Sequence, residues 1–140
     1  MNERRLLQAA VTLACIVPIL GGGFGVVQGS AMGGLAAASA SADSHFRYLS
    51  GLLLGIGLGF LSAVPRIEAH TARVRLLAAI VVIGGLARLL AFATGARPDA
   101  IALFALAMEL VVTPALALWQ ARIARRMPGG ARPSPGEVYG

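Results

Sequence analysis

Five side chains have the types and positions to carry chemistry in this chain: Asp43, His45 and Arg47 at the head of one apolar stretch, Arg88 inside another and Glu109 inside a third. A charge near the centre of a bilayer costs roughly 2.5–3.5 kcal/mol even on the most lenient insertion scales, so Arg88 and Glu109 each need a partner or a ligand. Three arrangements meet that need. The charges can form an ionic network that holds helices in register. Two arginines facing one glutamate can leave surplus positive charge for an anionic lipid or a small anion, through a phosphate or carboxylate group. Glu109 can also serve as a proton relay.

Catalysis has little support in the same residues. Ser44 and His45 beside Asp43 include the residue types of a hydrolase triad, but consecutive residues do not form the nucleophile, base and orienter geometry. His45 and His70 fall on opposite sides of the membrane in the topology derived below, and no metal-ligand spacing occurs, so neither a metal nor another cofactor is expected. The single Cys15 lies inside an apolar run and reads as a small core residue. The glycines follow no phosphate-binding pattern in a βα context, and no nucleotide site is expected.

The elements that must position these residues are four apolar segments. Of 140 residues 57% are hydrophobic and 13% charged, against about 25% charged in a soluble domain. The expected spans are residues 6–29, 46–63, 74–94 and 100–120, each about the length needed to cross a ~30 Å hydrocarbon core at ~1.5 Å per residue. Pro65 closes the second. Gly95 to Asp99, with Pro98, makes a tight turn that forces the third and fourth helices to be antiparallel neighbours. The fold class expected is all-α, an integral membrane four-helix bundle over residues 1–127. A Pro- and Gly-rich cytoplasmic tail over residues 128–140 is expected to be disordered.

Charge sets the orientation. All basic residues are arginine, and Arg4, Arg5, Arg66, Arg73, Arg75, Arg122, Arg125, Arg126 and Arg132 gather at the termini and the second loop, with Arg47 and Arg97 on the other side. The positive-inside rule then places both termini in the cytoplasm, and an even number of spans agrees in putting them on one side. Trp119 and Tyr48 fall where interfacial anchors are expected. The net charge of +6 is spread over segment ends rather than one solvated face, which argues against nucleic acid as a partner. Arg4 and Arg5, an apolar core and the Ala38-Ser39-Ala40 triplet imitate a cleavable signal peptide. The apolar run is too long for that, and cleavage would leave three spans.

Glycines recur at Gly21, Gly25 and Gly29, and again at Gly51, Gly55 and Gly59, a glycine-zipper spacing that puts three small residues on one helix face. These faces are expected to pack against other helices, within the chain or between copies of it. Arg47 shares the face of Gly51, Gly55 and Gly59. Arg88 lines up with Gly84 and Gly85, and Glu109 with Ala105 and Thr113. Counted from the outer helix ends, Arg88 lies roughly 9 Å deep and Glu109 roughly 15 Å deep, close enough to meet. With Asp43, His45 and Arg47 above them, one outward-facing polar cluster is expected. Pro114 removes the hydrogen bond to the Leu110 carbonyl and should kink the fourth helix one turn beyond Glu109.

The run from Asp43 to Leu58, the segment Gly84-Gly85-Leu86-Ala87-Arg88-Leu89 and the segment Glu109-Leu110-Val111-Val112-Thr113-Pro114 together resemble the small four-helix bacterial membrane family known as domain of unknown function 4345. The resemblance covers about residues 5 to 122. It implies four spans, no established activity, and hallmark polar positions at Asp43, His45, Arg47, Arg88 and Glu109. The Ala- and Ser-rich loop from Ala36 to Ala42 departs from the family pattern and leaves the start of the second helix open.

The function expected is that of a non-enzymatic, multi-pass protein of the bacterial inner membrane. It either binds a lipid or small anion or serves as an accessory subunit, as a homo-oligomer or in a larger membrane complex. Two further readings stand beside it: a small oligomeric transporter or proton-coupled carrier, and a quinone-binding oxidoreductase accessory protein by analogy with other four-helix membrane proteins.

Overall fold

A computed structural model describes residues 2–34 and 39–126, and within them every regular element is helical. Helix α1 spans Glu3–Gln28 and continues into a 3₁₀ turn, Gly29–Gly33. Helix α2 spans Ala40–Ala63 and ends in a second 3₁₀ turn, Val64–Arg66. Helix α3 spans Thr71–Ala93, and α4 spans Ala100–Arg126 with one π-helical turn, Met108–Val112, inside it. With their 3₁₀ extensions the four run 31, 27, 23 and 27 residues and are long and apolar enough to cross a membrane, where about 20 residues suffice. In hydrocarbon a helix satisfies its own backbone, which is why such apolar segments adopt this form.

Local chemistry sets the ends. Glycine at positive φ ends the first rod: Gly29 has φ 63 and Gly34 φ 75. Helix α2 starts six residues earlier than hydropathy indicates. Ser39 caps it by accepting a hydrogen bond from the Ala42 amide at 3.2 Å, and Asp43 in its first turn opposes the positive end of the helix. Asp99 caps α4 in the same way, accepting from the Ala102 amide at 2.7 Å. The expected tail, residues 128–140, lies outside the described residues, as does part of the Ala36 to Ala42 loop.

Each helix packs on its neighbour in the chain, and the second half of α4 returns to α1, so the order around the bundle is α1, α2, α3, α4. The packing is uneven along the axis. At the end that holds the start of α1, the α2–α3 connection and the close of α4 (the terminal end), Leu7, Val11, Cys15, Ile67 and Ile123 form a buried core. Trp119, Leu116 and Phe60 pack around it. Trp119 is half-buried against this core. At the opposite, hairpin end nothing in Ala100–Val112 is buried, and burial is confined to the seams within the α1–α2 and α3–α4 pairs.

The α1–α2 seam passes through only some of the glycines that the four-residue spacing indicates, Gly25 and Gly29 among them, and adds Gly22 and Gly57. Gly22 lies against backbone: a Cβ there would stand 2.7 Å from the Ser50 carbonyl oxygen and 2.8 Å from the Leu54 Cα. Gly25 lies against Ser50, and Gly57 receives Pro18 and Ile19. Gly21 and Gly51 make only ordinary contact, Gly59 meets Leu77 of α3, and Gly55 and Gly84 face open space. Gly85 is held close against Glu109 and Leu110 of α4. Spacing places residues on a shared face, but the rotation of each helix about its axis decides which side of that face closes.

Candidate functional site

The polar residues singled out in the sequence form two ion pairs, one in each helical hairpin. No hydrogen bond or ion pair among the described residues joins them. The expected single cluster of two arginines around one glutamate is thus replaced by two neutral pairs. The reason is geometric, since Asp43 lies one turn from Arg47 on the same helix face and claims it first.

In the first pair, Arg47 Nε donates to Asp43 Oδ2 at 2.8 Å, and its Nη1 donates to the Val26 and Val27 carbonyl oxygens at 2.6 and 2.9 Å. These carbonyls belong to the last turn of α1, where backbone acceptors lack helical partners and a cation is favoured. Asp43 Oδ1 in turn accepts from the Ser30 amide at 2.7 Å and the Ser30 hydroxyl at 2.9 Å. The Asp43 and Arg47 side chains press against Gly29, whose positive φ turns the chain. The group is a clasp that ties the end of α1 to the start of α2.

In the second pair, Arg88 Nε and Nη2 donate to Glu109 Oε2 and Oε1, both at 3.0 Å, a bidentate fork between α3 and α4. This geometry gives the strongest form of a carboxylate pair. Glu109 is largely buried, with 18% of its side chain exposed, whereas Arg88 keeps 38%. Gly85, one turn before Arg88, lets α4 approach closely enough for the fork.

Glu109 lies within the π turn Met108–Val112. The Thr113 amide and hydroxyl both donate to the Met108 carbonyl, the hydroxyl at 2.8 Å. Pro114 supplies no donor for the Leu110 carbonyl, and the helix widens into this turn immediately before it. An extra residue in the turn rotates the following face by about 100°.

His45 stands apart from both pairs. It is exposed and stacks on Tyr48, ring centroids 6.5 Å apart. The sequence reading missed a third polar group at the terminal end. Gln120, with no exposed surface, donates to the Ile67 carbonyl at 2.7 Å and the Thr71 hydroxyl at 2.9 Å. From α1, Gln8 donates to the Val64 carbonyl at 2.8 Å, and Arg4 binds the Pro65 carbonyl and Glu68, both at 3.0 Å. An uncharged glutamine in an apolar helix was the available signal, because such amides bond across membrane helices. Among the described residues no set of three or more His, Cys, Asp and Glu side chains is placed to hold a metal.

The model of one family, described as Domain of unknown function (DUF4345), matches residues 6–120. No curated protein and no solved structure matches the chain.

Proposed function

We propose, from the premise that the chain belongs to the DUF4345 family, that it is a non-enzymatic, multi-pass protein of the bacterial inner membrane with both termini cytoplasmic. It acts there as an accessory or lipid-associated subunit. The observation that supports this reading is the use to which its polar groups are put. Asp43, Arg47, Arg88 and Glu109 are matched with one another and with backbone carbonyls, and neither pair leaves a surplus charge. They fasten helices. The outward faces that remain are apolar and suit lipid or a membrane partner.

Topology is checked by placing single cysteines at Asn2 and Ala96 in a Cys15→Ser background and labelling intact spheroplasts with an impermeant maleimide. The reading expects labelling at position 96 alone; labelling at position 2 overturns the orientation. Native mass spectrometry of the gently extracted chain tests the subunit role. A defined complex or bound lipid is expected, and a bare monomer that catalyses solute flux in liposomes would reject it.

One observation favours a second reading, a proton-coupled carrier: Glu109, the less exposed of the two candidate carboxylates, sits in a π turn, a distortion frequent at functional sites. That reading expects Glu109→Gln to fold and to abolish flux. Unchanged flux removes it.

A further inference from the structure

At the hairpin end, where the sequence points to an anion site, Arg47 and Arg88 are each engaged by a carboxylate. At the terminal end the position is different. Between α3 and α4 runs a groove of about 380 Å³, floored by small residues, Ala78 and Ala79 on one helix and Ala117 and Ala121 on the other. Val82 and Pro114 line its stretch toward the middle of the helices, and Arg75 and Arg125 stand at its mouth.

The two helices are antiparallel, so Arg75 near the start of α3 and Arg125 in the last turn of α4 reach the same level. Both are exposed, and among the described residues neither makes a hydrogen bond or ion pair. The adjacent Arg126, by contrast, pairs with Glu3, and Arg73 donates to Ser62. A pair of unspent guanidinium groups above an apolar channel that opens sideways matches an anionic phospholipid: phosphate on the arginines, one acyl chain along the alanines. Guanidinium forks fit phosphate oxygens, and basic pockets between membrane helices on the cytoplasmic side bind acidic head groups.

We infer that this groove is a binding site for one anionic phospholipid of the cytoplasmic leaflet, with Arg75 and Arg125 as the head-group ligands. The inference rests on the membrane reading above and specifies which lipid the subunit retains.

The full chain is reconstituted in vesicles of mixed phosphatidylglycerol and phosphatidylcholine, re-extracted, and its retained lipid counted by native mass spectrometry. The wild type is expected to hold one phosphatidylglycerol in preference to phosphatidylcholine. In Arg75→Gln with Arg125→Gln that preference falls roughly tenfold or more, the scale set by two arginine–surface attractions. Arg5→Gln with Arg122→Gln, the same loss of charge at the same end but outside the groove, keeps it. Ala117→Phe, which fills the channel and spares both arginines, loses it. The site is refuted if the wild type shows no preference, if the two double variants behave alike, if Ala117→Phe retains the lipid, or if inorganic phosphate displaces it. Failure of the chain to stay in carbonate-washed vesicles would instead defeat the membrane reading itself.

Discussion

Arg88 and Glu109 show how strongly one contact can constrain a membrane helix pair. With both oxygens of Glu109 engaged at 3.0 Å, removing one charge strands the other in an apolar setting, a loss of about 2–3 kcal/mol once the partial exposure of Arg88 is allowed for. Glu109→Gln and Arg88→Gln should each lower stability in detergent by that order. The exchange Arg88→Glu with Glu109→Arg should recover part of it, as measured by thermal unfolding. Equal stability of all these variants would show that the fork does not hold the helices. Asp43 and Arg47 behave differently because they close a helix terminus and keep access to water, 32% and 42% exposed. Their contribution is that of a cap more than of a buried ion pair.

The helix seams separate glycines that look equivalent by spacing. Gly22 faces the α2 backbone, which cannot swing aside, whereas Gly55 faces nothing within 4 Å. Gly22→Ala should therefore destabilise by about 1–3 kcal/mol through overpacking. Gly55→Ala should be neutral or stabilising by up to about 1 kcal/mol, because alanine is the better helix former. Unfolding midpoints of the two variants in one detergent check this. The reverse ranking would mean that Gly55 packs against another chain, as the glycine-zipper spacing allows. The π turn belongs to the same scale. Thr113 gives both its donors to Met108, so the widened turn is fastened on its own helix just before Pro114.

Across the whole molecule the protein is two hairpins, each clasped by its own ion pair, joined mainly at the terminal end. The joint is the Leu7, Val11, Cys15, Ile67 and Ile123 core together with the grip of Gln8, Arg4 and Gln120 on the α2–α3 connection. Gln120→Leu removes two hydrogen bonds and leaves the Ile67 carbonyl without a partner, at a cost of about 1–3 kcal/mol. Protease cleavage within residues 64–70 should rise as a result, while the exchange of backbone amides around the Arg47 clasp stays as in the wild type. If both regions loosen together, the hairpins are one cooperative unit.

Hydropathy, charge placement and turn residues are local, and they were enough to determine four helices, their approximate limits and the α3–α4 hairpin. The tight turn after Thr94 leaves Arg88 and Glu109 on adjacent antiparallel helices at similar depth, which is why their meeting could be anticipated. Only the tertiary structure decided that Asp43 and Arg47 form a separate pair and that His45 turns outward. It alone decided that Gly22, Gly25 and Gly57, not Gly55, carry the seam, and that Arg75 and Arg125, without partners among the described residues, meet at one groove at the other end of the bundle. Those outcomes depend on how far each helix is rotated about its axis and how the two hairpins lean on each other. Many side chains far apart in the chain set both together, and periodicity within one segment carries no record of either.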